Sequence, residues 1–120
     1  MQCSKKEFGL SLRKARINLG FTLRKFANEI GKSPTYISRL ELGDVDFPAE
    51  ETIKKMARVL NKNEDKLLGR VGKISSDLKN IITEKPVEIS NFLRVSAKLN
   101  KEQWAALNIY VQELKKEKIV

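Results

Sequence analysis

TLRKFANEIGKSPTYISRLELG, from Thr22 to Gly43, reads as two short helices joined by a tight turn. Thr22 suits an N-cap, because its hydroxyl accepts from the free amides of a first helical turn. Phe21 before it and Phe26 after it have the spacing of a hydrophobic staple. Phe26, Ala27 and Ile30 then share one apolar face. Gly31 supplies a left-handed C-terminal position, and Ser33 is a second N-cap with Pro34 at the first helical position. Ile37 and Leu40 turn the second helix inward and leave Pro34, Thr35, Ser38 and Arg39 outside. Gly43 ends it.

Outward from this stretch, Phe8, Leu12, Ala15 and Leu19 fall on one face of a first helix from about Lys6 to Leu19, closed by Gly20. Asp44 to Pro48 is a loop. A helix follows from Ala49 or Glu50 to Leu60, with Ile53, Met56, Ala57 and Leu60 inward. Its early Glu50 and Glu51 and its later Lys54, Lys55 and Arg58 suit the helix dipole. Asn61 ends it, and Asn63-Glu64-Asp65 starts a short fifth helix through Leu67 and Leu68.

The Ala27 and Gly31 pair, the run SPTYIS from Ser33 to Ser38, and Glu41-Leu42-Gly43 carry a resemblance to a known family. The chain resembles the lambda-repressor-like helix-turn-helix domains of phage repressors and bacterial XRE-type (Cro-type) regulators, over about residues 8 to 68. The resemblance implies a five-helix DNA-binding domain, residues 6–70, and the whole chain reads as all-α, with about three further C-terminal helices in residues 76–118. It also implies that Arg16 pairs with Glu41, the glutamate closing the reading helix. The chain departs from the family at Leu23, where a phosphate-gripping glutamine is common. It departs again at Asp44 and Asp46, in a loop that commonly carries Lys or Arg. Those departures shift the expected backbone contacts toward an N-terminal arm holding Lys5 and Lys6.

Past residue 68, Gly69 to Ser75 has two glycines and no strong periodicity, as a linker would. Ser75 or Ser76 caps a helix carrying Leu78, Ile81 and Ile82. Pro86 opens another, with Ile89, Phe92 and Leu93 inward. Asn100 and Gln103 form a capping box for the last helix. Trp104, Leu107, Val111 and Leu114 follow an a/d rhythm there, widened by Ile109 and Tyr110, and the charged end from Lys115 to Lys118 reads as solvated. About 50 residues are too few to hold a core readily alone. They must pack on the first domain, on each other or on a second copy; because a two-fold regulator needs such a device, dimerisation through Trp104, Leu107, Val111 and Leu114 is favoured over an ordinary internal core. A true coiled coil is disfavoured, because the rhythm lasts barely two heptads.

The 24 Lys and Arg against 15 Asp and Glu give a formal charge of +9, and its placement is informative. Residues 1–42 hold nine basic and three acidic side chains, an excess of six, whereas the longer remainder has an excess of only three. The surplus surrounds the suspected reading helix, as an electrostatic footprint for phosphate requires. One cysteine, Cys3, forms no intrachain disulfide and suits a reducing cytoplasm. No apolar signal region opens the sequence and no stretch is long enough to span a membrane, so a cytoplasmic location is expected.

A helix fits the major groove, where every base pair presents its own donors, acceptors and methyls. Arg39 is the first candidate for base reading, since its fork matches guanine O6 and N7. Thr35, Pro34 and Ser38 complete the base-reading set. Arg24, Lys25, Lys32, Ser33 and Tyr36 are the phosphate-binding candidates, with the amides that open the two helices. About six neutralised phosphates correspond to a salt slope near −5.

The favoured function is a dimeric regulator, most simply a repressor on a palindromic operator of double-stranded DNA. One alternative is an antitoxin-like autoregulator whose C-terminal helices hold a protein partner. Another is a helical protein-interaction module that has lost DNA recognition. An enzyme is not expected: with no histidine and one cysteine, the commonest metal ligands are nearly absent, and Ser33 and Ser38 have no evident base. Nothing indicates a metal, a cofactor or a small-molecule pocket.

Overall fold

The computed structural model of the chain describes residues 2–117; Lys118, in the expected charged end, lies outside them. The described residues are all-α, with eight helices and no strand. They are α1 (Lys5–Asn18), α2 (Leu23–Ile30), α3 (Pro34–Leu42), α4 (Glu50–Val59), α5 (Glu64–Arg70), α6 (Ser76–Glu84), α7 (Pro86–Ser96) and α8 (Lys101–Glu117). Two compact units divide the chain, Met1–Lys79 and Asn80–Val120.

In the first unit α1, α2, α3 and α5 start where a side chain satisfies free amides, whereas α4 follows Ala49 with no side-chain cap. Thr22 accepts from the Lys25 amide at 3.1 Å, Ser33 from Tyr36 at 3.1 Å and Asn63 from Lys66 at 2.9 Å. At α1 the cap is Ser4, which forms a full capping box with Glu7. That box starts the helix at Lys5, and the helix runs to Asn18 with Leu19 as its C-cap. Leu19, expected on the inward face, therefore falls outside the helix and is exposed. Lys5 and Lys6 are helical residues and form no arm, which corrects the expectation drawn from the loop acids.

Gly31 and Gly43 close α2 and α3 with φ of +78°, and Asn61 takes the same left-handed role after α4 with φ of +56°. Phe8, Leu12, Phe26, Ala27, Ile30, Ile37, Leu40, Ile53, Met56, Leu60 and Leu68 form the buried core. Phe21 lies against Phe26 with ring centroids 6.0 Å apart, as a staple should. Phe47 meets the Phe8 ring edge-on at 5.6 Å, so the loop after α3 is pinned to the core.

The stretch read as a linker is only partly one. Its first two residues, Gly69 and Arg70, end α5; Val71 is buried in the core, and the Cys3 amide donates to the Arg70 carbonyl at 2.8 Å. Ser75 is buried too, and its hydroxyl donates to the Asp77 carboxylate instead of accepting from a helix amide. Ser76 donates both its amide (3.2 Å) and its hydroxyl (2.7 Å) to Glu50, which also pairs with Lys54 at 3.0 Å. These bonds fix the start of α6 to α4 and hold the Glu50 carboxyl down at about 2.

From Asn80 onward no hydrophobic side chain among the described residues is fully buried. Phe92 and Leu93, expected inward, are 43% and 44% exposed. Two and a half helices supply too little opposing surface to cover both apolar faces. Asn100 and Gln103 do form the expected capping box, at 2.9 and 2.8 Å. The Phe92 and Trp104 rings meet edge-on at 6.2 Å.

Candidate nucleic-acid interface

The second and third helices are held by a junction with α1. Gly9, buried on α1, faces the last turn of α3: a Cβ there would lie 2.4 Å from the Leu40 carbonyl oxygen and 2.5 Å from that of Glu41. Only a residue with no side chain permits this approach. A few residues on, the Arg16 guanidinium binds both Glu41 oxygens, at 2.6 and 3.0 Å, and donates to the Phe21 carbonyl at 2.8 Å. Both side chains are nearly buried, 10% and 6% exposed. The pair thus ties α1, the entry to α2 and the end of α3 in one bidentate clamp.

With Ile37 and Leu40 buried, α3 presents its other side outward. Pro34, Thr35 and Arg39 are exposed and Ser38 is half-buried. Arg24, Lys25, Lys32 and Ser33 are exposed at the helix starts on either side of the turn. The Ser33 oxygen already accepts the Tyr36 amide, so its remaining capacity toward phosphate is as a donor. Tyr36 is half-buried against the core, and burial pushes its phenol pKa upward. The Lys32 ammonium lies 5.7 Å from the Tyr36 ring centroid, which holds that cation at the turn.

Leu23 packs on the core margin and is half-buried, so where the family's polar gripper is common this chain has a packing residue. Asp46 is bound by Lys5 at 2.7 Å, which lowers its carboxyl pKa and offsets its charge locally. Asp44 is exposed. Two features escaped the linear reading. Leu42, in the last turn of α3, is 59% exposed and extends the outward stripe of Thr35, Ser38 and Arg39. A shallow depression beside it is lined by Lys6, Leu10 and Arg13 of α1 together with Leu23, Ser38 and Leu42. Neither carries a local motif, and the depression exists only where α1 meets α3.

The expected dimerisation residues lie on α8. Trp104 and Leu107 are half-buried, while Val111 and Leu114 are 43% and 45% exposed. Ile109 and Tyr110 are each 60% exposed. No helix is long and apolar enough to cross a membrane among the described residues.

Two capped helices around a glycine turn, the second turned outward and clamped from behind, define a DNA-binding helix-turn-helix domain of the XRE/lambda-repressor-like kind, the class carried by transcription regulators. Residues 12–67 match the family model described as helix-turn-helix. No curated protein matches the chain by sequence. Among solved structures, the clp gene regulator ClgR from C. glutamicum is 27% identical, over 59% of this chain and 91% of its own, with a TM-score of 0.49. A second ClgR structure, from Corynebacterium glutamicum, is 23% identical over 77% and 92%, also with a TM-score of 0.49. A chain of the SinR protein/SinI protein complex is 18% identical over 91% and 98%, with a TM-score of 0.49.

Proposed function

We propose that this chain is a cytoplasmic, sequence-specific regulator that binds a palindromic operator as a homodimer and acts as a repressor by occupying it. The observation that carries this reading is the outward face of α3, where Pro34, Thr35 and Arg39 stand exposed and Ser38 half-exposed, together with exposed Arg24, Lys25, Lys32 and Ser33 at the starts of α2 and α3. Arg39 reads guanine, Thr35 and Pro34 meet thymine methyls or base edges, and Ser38 adds a hydroxyl. Arg24, Lys25, Lys32, Ser33 and Tyr36 hold phosphates and set the register. The uncovered apolar side chains of α7 and α8 support assembly, with Trp104, Leu107, Val111 and Leu114 meeting a second copy. Two reading helices then lie about 34 Å apart, one turn of duplex.

Selection of bound duplexes from a random pool tests this, run in parallel with Arg39→Ala. The expected result is an inverted repeat that loses definition at one base pair per half-site in the variant. Folded protein that enriches no sequence at low salt overturns the proposal.

A further inference from the structure

We infer that Arg13 of α1 is a phosphate-positioning residue, so that the nucleic-acid surface includes α1 as well as the two helices of the motif. This rests on the DNA-binding reading above and adds to it a residue that neither the motif nor its turn contains.

Gly9 brings α1 into contact with the last turn of α3, and the residues flanking that contact on α1 share a stripe at helical spacing. Lys6, Leu10 and Arg13 occupy it, and they border the same depression as Ser38 and Leu42. Ser38 and Leu42 belong to the outward stripe of the reading helix, so a duplex laid along that stripe has its backbone over the depression. Leu10 is 52% exposed and Leu42 59%, which leaves the floor open on both sides.

The charges there resolve in favour of an anion. The Glu41 carboxylate also borders the depression, yet both its oxygens are taken by Arg16. Arg13 is exposed and makes no ion pair among the described residues. Its five donors therefore remain for a phosphate, which a guanidinium meets two at a time. Lys14, the next residue, is also exposed but does not border the depression, and it serves as the internal control.

The test uses the full chain and the duplex enriched by selection, titrated from about 50 to about 300 mM potassium chloride. Arg13→Ala is expected to make the salt slope shallower by about 0.9 per protomer and to weaken all single-base variants of the duplex by one common factor. Arg13→Lys restores the slope, and Lys14→Ala leaves it unchanged. An Arg13→Ala slope equal to that of the wild type, or an equal loss in Lys14→Ala, overturns this inference alone. Failure of the unaltered chain to bind any duplex overturns it together with the regulator reading.

Discussion

Gly9 and Leu40 stand closer than any side chain between them allows: a Cβ on Gly9 would come within 2.4 Å of the Leu40 carbonyl oxygen. The obstacle is backbone, which cannot swing aside as a flexible side chain would. Gly9→Ala should therefore push α1 off α3 and destabilise the chain by about 2–3 kcal/mol, as overpacking of a tight contact does. Urea unfolding measures it. A loss no greater than that of Gly69→Ala, where a Cβ meets nothing within 4 Å, would show that α1 has room to move.

Arg16 and Glu41 should behave as a unit. Removing one partner leaves the other charge enclosed, so Arg16→Met or Glu41→Met alone should cost about 3–5 kcal/mol. The double variant should recover a good part of that, because two apolar chains of similar size need no compensation. A double-mutant cycle gives the coupling, and simple additivity of the two losses would rule out a shared clamp.

Glu50 gives the first turn of α6 a defined response to acid. Its folded pKa of about 2 lies below the ordinary 4.5, so its contribution is complete above about 4.5 and disappears as the pH falls toward 2. Protection of the Ser76 amide from hydrogen exchange should hold at neutral pH and fade across that interval. Glu50→Gln should show reduced protection at every pH. Unaltered protection in the variant would mean that the start of α6 is held by something other than this carboxylate.

Val111→Glu combined with Leu114→Glu should abolish self-association without unfolding the first unit. Sedimentation is expected to show a dimer for the unaltered chain and a monomer for the variant. Affinity for a full palindrome should fall by about 10²–10⁴ as the linked second site is lost, while affinity for an isolated half-site stays the same. A variant that remains dimeric would move the contact away from α8.

The helix-turn-helix was legible because its signals are local. Thr22, Gly31, Ser33, Pro34 and Gly43 each act on backbone within a few residues, and spacing alone revealed the inward faces of α2 to α4. Of the contacts that join distant residues, the Arg16–Glu41 clamp was expected only through the family resemblance, and the others were not legible. Lys5 meets Asp46 across 41 positions and Ser76 meets Glu50 across 26, and neither pair leaves a periodic trace. Gly9 showed nothing unusual in the sequence, since its role is set by carbonyls thirty residues away. Leu19 was misread because α1 stops at Asn18, and Phe92 and Leu93 for a related reason. Helical spacing says which residues share a face, whereas burial depends on what lies opposite.

That last distinction has a calorimetric consequence for the segment beyond Asn80. A polypeptide whose hydrophobic groups are already half-hydrated has little left to hydrate when it melts, so its own unfolding adds only a small heat-capacity increment. The large increment belongs to the first 79 residues, with the packed core. Any substantial second increment, with a midpoint that climbs as the protein is concentrated, would register the water expelled when another molecule closes over those helices.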